Sequence, residues 1–148
     1  MTGEQLPPIL RAIDYSELRE RWRSEFFPAL EELANKRHGG VWMPEDVWAT
    51  VRMGQAYFID IANGQGFMVV QRQPRFAGDC LFVWVICGKL AAYEQQIYDA
   101  LDALAAQMGV RTIEAQGRRG WLKRGFFAES GTTFVREVHQ WAAAAAVK

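Results

Sequence analysis

The sequence predicts a single α/β domain, α+β in its mixture of pairings: a central mixed sheet of six to seven strands, with helices on both faces. Three observations carry this. Two extended segments flank Asn63-Gly64, a strong hairpin signal. The run "CLFVWVICG" is apolar on both faces, as a strand covered on both sides by helices must be. A long helical pattern then leads to a further short strand, which makes a parallel crossover.

The elements follow in order. Pro7 and Pro8 force an extended entry, so Ile9 to Ile13 reads as a short edge strand. Asp14 suits an N-cap, and Glu17 stands at capping-box spacing. The helix from Tyr15 carries Leu18, Trp22 and Phe26 on one stripe, with Leu30 and Leu33 continuing inward. Pro28 either kinks this helix or starts a second one, and "HGG" ends it. The charges of "ELRERWRSEFF" form a solvated face over the stripe. In "MPEDVWATVRMG", Pro44 opens a helix, Glu45 and Asp46 suit the positive end of its dipole, and Gly54 closes it.

The hairpin strands are "QAYFIDIA" and "QGFMVVQRQ". A turn from Pro74 to Asp79 precedes the central strand. Simple alternation puts Phe82, Trp84 and Ile86 on one of its faces and Leu81, Val83 and Val85 on the other. A helix is expected from about Leu90 to Met108, with Leu90, Ile97, Leu101, Leu104 and Met108 inward and Gly109 closing it. "VRTIEAQG" is a strand, "RRGWLKR" at most two helical turns, and "GFFAES" and "TFVREVHQW" are closing strands. Residues 142–148 form an Ala-rich tail, helix-prone or frayed. Neither a repeat nor a linker is visible, so residues 1–148 read as one domain.

Lys plus Arg and Asp plus Glu number 17 each, a net charge of zero that disfavours general nucleic-acid binding and permits a homo-oligomer. No basic-then-apolar leader and no apolar run of about 20 residues appears, so a cytoplasmic, membrane-free protein is expected. Cys80 and Cys87 lie too far apart along one strand to bridge and read as reduced thiols. His38 and His139 are isolated, so no metal is expected, and no Gly-x-Ser-x-Gly nucleophile motif occurs. Trp42, Trp48 and Trp141 are assigned mainly to core packing.

This order of elements, ending in "GRRGWLKRGFFAES" (Gly117 to Ser130), resembles the GNAT N-acetyltransferase superfamily over nearly the whole chain. The resemblance implies that acyl-CoA pyrophosphate would sit on a loop after the central strand, with the pattern Arg/Gln-x-x-Gly-x-Gly/Ala. Here that stretch is "VICGKLAAYEQQ", with one glycine, Gly88, and one cation, Lys89. Leu90 and Tyr93 would crowd a pyrophosphate. Where many members place an acid tyrosine four residues before Gly-Phe, this chain has Trp121 before Gly125-Phe126, and an indole N–H is no practical general acid. Glu114 is the nearest acidic choice for a base, with an ordinary strand carboxylate as its plainer role.

Such degenerate GNAT-like domains resemble proteins encoded by tailed bacteriophages, some of them virion or morphogenesis proteins. The favoured expectation is therefore a pseudoenzyme without a cofactor that acts through protein contacts, located in host cytoplasm or virion. The alternative is an acetyl-CoA-dependent N-acyltransferase that uses the backbone at Cys87, Gly88, Lys89 and Leu90. Arg118, Arg119, Trp121, Lys123 and Arg124 form the candidate anion or partner surface.

Overall fold

The computed structural model describes residues 6–36 and 42–115. Five strands form one sheet in the order β1-β2-β3-β4-β5: β1 Leu10–Ala12, β2 Tyr57–Ile61, β3 Gly66–Gln73, β4 Cys80–Gly88 and β5 Thr112–Ala115. The pairs β1–β2, β2–β3 and β3–β4 are antiparallel, and β4 pairs with β5 in parallel. The sheet is thus mixed, as expected, with five strands among the described residues. The further expected strands, at "GFFAES" and "TFVREVHQW", lie outside the described residues, as does the expected helix end at "HGG".

Helix α1 (Tyr15–Arg21) starts where expected: Asp14 accepts the Glu17 backbone N–H at 2.8 Å. The capping box is only half made, because the Glu17 carboxylate turns to Arg11 and Arg21 instead. Pro28 falls in the first turn of a second helix, α2 (Phe27–Lys36), as one of the two expected readings had it. Proline has no N–H, and its ring crowds the carbonyl four residues back. The chain resolves this by widening into a π-helical turn over Trp22–Phe26, where the Phe27 amide donates to the Trp22 carbonyl. Helix α2 (Phe27–Lys36) then continues. Helix α3 (Pro44–Arg52) has Pro44 in its first turn, and the Asp46 carboxylate accepts the Met43 N–H at 2.8 Å.

Between β2 and β3, Ala62, Asn63 and Gly64 all adopt left-handed φ values, and Ile61 pairs with Gly66 to close the hairpin. In β4 the alternation is broken. Val69 pairs with Val85 but Val70 pairs with Val83, so Trp84 is an extra residue in a β-bulge. Partners across a ladder share a face. Val85 therefore joins Phe82 and Cys87 on one face, while Ile86 joins Leu81 and Val83 on the other. This corrects the faces expected from simple alternation, which a bulge reverses.

The face bearing Val85 packs on α1 to α3. Its core holds Leu18, Phe26, Leu30, Val47, Phe58, Phe67 and Val69. Phe26 meets Phe58 at 4.5 Å and Phe67 at 5.1 Å between ring centroids. Trp42 is buried here against Trp84, and Trp48 is half-buried, consistent with the packing role expected of them.

Helix α4 (Glu94–Met108) buries Ile97, Leu101 and Leu104, with Tyr98 added. Arg72, in the same cross-strand row as Leu81, donates to the Met108 carbonyl at 2.6 Å, so α4 covers the second face. Gly109, at φ 70°, closes the helix.

Candidate functional site

The sequence places its first candidate site where β4 runs into α4. The helix does not begin at Leu90 as expected. Residues Ala91–Tyr93 form a 3₁₀ turn, closed by the Tyr93 N–H donating to the Leu90 carbonyl at 2.9 Å, and α4 starts at Glu94. Of the four residues proposed for cofactor binding, Lys89 donates its backbone N–H to the Gln65 carbonyl at 3.2 Å. Gly88 lies at φ 125° and packs directly on Gly66. A Cβ on Gly88 would lie 2.5 Å from both the Gln65 oxygen and the Gly66 Cα.

Leu90 folds back onto the hairpin, with its methyl carbons 2.8 and 2.9 Å from where a Gly66 Cβ would stand; the Cys87 carbonyl is closer still, at 2.4 Å. Leu90 thus fills space between the two turns, and its expected role as an obstacle to ligand becomes one of packing. The first residue of α4 is Glu94, whose negative charge sits at the positive end of the helix dipole. A pyrophosphate needs open amides at that end. This junction presents a committed Lys89 amide, a packed leucine and a carboxylate, and these do not fit that group.

Glu114 is not brought to the junction. It pairs with Phe82, six residues before Gly88, a separation of roughly 20 Å along the strand. Its carboxylate is bound by the Arg75 guanidinium at 3.0 and 3.2 Å. Burial, then a hydrogen bond with Glu114, pushes the Cys80 thiol up, which keeps it protonated and unreactive. The cluster Arg118, Arg119, Trp121, Lys123 and Arg124 lies outside the described residues. Among the described residues, no group of three or more His, Cys, Asp or Glu side chains could hold a metal, and no helix is long and apolar enough to cross a membrane.

The sequence reading missed Asp60, the one buried charged side chain among the described residues. It belongs to the cross-strand row Asp60–Phe67–Cys87, level with the junction. Its Oδ2 accepts the Gly64 N–H at 2.9 Å, while Arg21 stands 3.6 Å from Oδ1 and Arg11 3.8 Å from Oδ2. Oδ1 has no hydrogen bond of its own. The available signal was a carboxylate inside the apolar strand "YFIDI", four residues before the turn glycine. Asp60 holds the hairpin turn from inside, and Lys89 holds it from the β4 side.

Solved structures share this fold. A ribosomal-protein-alanine N-acetyltransferase from Brucella melitensis biovar Abortus 2308 superposes with a TM-score of 0.62 at 16% identity, covering 86% of this chain and 98% of its own. A structure described as a probable acetyltransferase gives a TM-score of 0.60 at 10% identity, over 87% of this chain and 97% of that one. The fold is GNAT-like. An integron cassette protein from the mobile metagenome of Cole Harbour Salt Marsh shares it, with a TM-score of 0.59 at 18% identity over 94% of this chain and 95% of its own. At such identities the likeness concerns the fold alone. No family model and no curated protein matches the sequence.

Proposed function

We propose that this chain uses a GNAT-like fold without acyl-CoA chemistry and works through protein–protein contacts, as an assembly component or accessory factor of phage or prophage origin. The β4–α4 junction carries this reading. The Lys89 amide is given to Gln65, Leu90 is packed on Gly66, and Glu94 brings negative charge to the helix start. Trp121 in place of the acid tyrosine, and Glu114 held by Arg75 far from the junction, support it further. The phage setting rests on the sequence resemblance to phage-encoded GNAT-like proteins.

The test is thermal melting of the full chain with and without millimolar acetyl-CoA and CoA. The expected result is no shift. A ligand at 100 times its Kd would add about 2.7 kcal/mol of stability, several degrees for a domain of this size. Such a rise would overturn the proposal. If Arg118→Ala/Arg119→Ala then abolished it, the alternative would stand: an acyl-CoA-dependent N-acyltransferase with a rebuilt phosphate site. That second reading draws its support from the acetyltransferase names carried by solved structures of this fold.

A further inference from the structure

A cleft of about 430 Å³ opens between β1, α3 and the start of β2. Tyr57, in its wall, pairs with Val70, and Val70 with Val83, five residues before Gly88. The cleft therefore lies roughly 16 Å along the sheet from the β4–α4 junction. Its size falls among small-molecule sites, which run from about 300 to 1,000 Å³. Ile13 and Phe58 form its floor, both buried and joined by the Ile13 N–H donating to the Phe58 carbonyl at 2.9 Å. Tyr15 and Tyr57 add two further rings. Tyr15 is 43% exposed, yet its ring is held: it packs on Trp48 at 5.5 Å between centroids, and Trp48 packs on Trp22 at 4.8 Å. Gly54 is also in the wall, and nothing lies within 4 Å of where its Cβ would stand. Of the four large apolar side chains exposed among the described residues, Tyr15 lines the cleft and Met53 falls between two residues that line it. Exposed apolar surface thus gathers at a concave site whose rings are already fixed, so little ordering entropy opposes a ligand there.

The charges around the cleft select the ligand. Arg52 is the one charged residue in its wall, and it makes no hydrogen bond or ion pair among the described residues. A cation in the last turn of α3 suits the helix dipole, but that role leaves its five N–H donors open. The carboxylates nearest in sequence to Tyr15 are engaged elsewhere. Asp14 accepts the Glu17 N–H at 2.8 Å, and Glu17 is held by Arg11 and Arg21. Glu45 lies two turns back along α3. Arg19, one turn along α1 from Tyr15, has no ion pair among the described residues either. The chain's net charge is zero, yet the unanswered charge beside this cleft is positive. A guanidinium matches a carboxylate in shape and charge, and the ring-lined walls favour a flat apolar body over an aliphatic one.

We infer that this cleft binds a small planar aromatic carboxylate, its ring against Tyr15 and Tyr57 and its carboxylate on the Arg52 guanidinium. The site is separate from the β4–α4 junction, so it stands or falls apart from the acyl-CoA test. The probe is 2-naphthoate, titrated into the full chain to millimolar concentration and followed by amide NMR shifts. Saturable shifts are expected, confined to residues 12–15 and 51–58. The neutral counterpart 2-naphthamide should bind at least about tenfold more weakly, because it forgoes a charge-assisted hydrogen bond. Arg52→Gln should lose affinity for 2-naphthoate to a similar degree with folding retained, since Arg52 is exposed and bonds nothing among the described residues. Arg52→Glu should turn the preference towards the cationic counterpart, 2-naphthylmethylamine. A cleft already filled by another part of the chain or by a second copy would show no saturable shifts at these residues. That result, saturable shifts elsewhere, equal affinity for 2-naphthoate and 2-naphthamide, or indifference to Arg52→Gln would each overturn the assignment.

Discussion

Gly88→Ala is expected to be among the most damaging single-methyl additions in the described part of the chain, and Gly54→Ala supplies the comparison that isolates why. Both glycines have positive φ, 125° and 73°. Placing alanine there costs roughly 1–2 kcal/mol in backbone strain, offset by about 0.4–1 kcal/mol from the stiffer unfolded chain. At Gly54 nothing lies within 4 Å of the new methyl, so the net loss is about 0–1.6 kcal/mol. At Gly88 the methyl meets the Gln65 oxygen and the Gly66 Cα, both at 2.5 Å. Both are backbone atoms, so relief requires the hairpin turn and the β4 end to separate. Overpacking of this kind adds roughly 1–3 kcal/mol.

The expected total for Gly88→Ala is about 1–5 kcal/mol, and each kcal/mol lowers the melting temperature of a domain this size by about 2–4 °C. Thermal unfolding followed by circular dichroism should therefore show a small loss for Gly54→Ala and a loss larger by several degrees for Gly88→Ala. Urea midpoints should rank the same way. Equal losses in the two variants would refute the claim that the junction is closed by direct backbone packing.

Two further outcomes follow from the charge network around β1 and α1. Hydrogen bonding to the Arg11 guanidinium, then to that of Arg21, lowers the Glu17 carboxyl to about 2, against a side chain 25% exposed. A depressed carboxyl stabilises the fold above its unfolded value of about 4.5, and that contribution is lost as pH falls from there towards 2. The urea midpoint should fall across this window, and Glu17→Gln should remove on the order of 2 kcal/mol of the fall after screening; an unchanged pH profile in Glu17→Gln would show the pairs to be inert. At Asp60, Asn keeps an oxygen for the Gly64 N–H but removes the charge facing Arg11 and Arg21, and Ala removes both. Denaturant unfolding should show Asp60→Ala less stable than Asp60→Asn by about 1 kcal/mol or more, and equal losses would mean that the turn does not depend on this bond.

The parts of the fold set by local chemistry were legible from the sequence. Asn63-Gly64 and Pro44-Glu45-Asp46 specify their turn and helix start through conformations that few other residues favour, and both appear as expected. The faces of β4 were not legible. Leu, Phe, Val, Trp, Val and Ile in succession give no polar marker of register, so the extra residue at Trp84 leaves no trace in the pattern. The start of α4 was misplaced for a related reason. Leu90-Ala91-Ala92 is helix-prone by composition, but Leu90 is drawn onto Gly66, twenty-four positions earlier, and a tighter turn takes up the difference. Asp60 escaped because its partners are distant: Arg11 and Arg21 reach it only once β1 pairs with β2 and α1 packs above them.

The Asp60 contacts and the junction geometry converge on one small element. The hairpin turn over residues 62–65 is bonded by Asp60 through Gly64 and by Lys89 through Gln65, and it abuts Gly88 through Gly66. In this chain the end of β4 is therefore a joint that fixes the hairpin to the β4–α4 corner. Turning it into a phosphate cradle would require freeing the Lys89 amide and lifting Leu90 from Gly66, and both changes would remove packing that closes the joint. Tight backbone contact and an open amide nest compete for the same few atoms, and here the atoms are committed to contact.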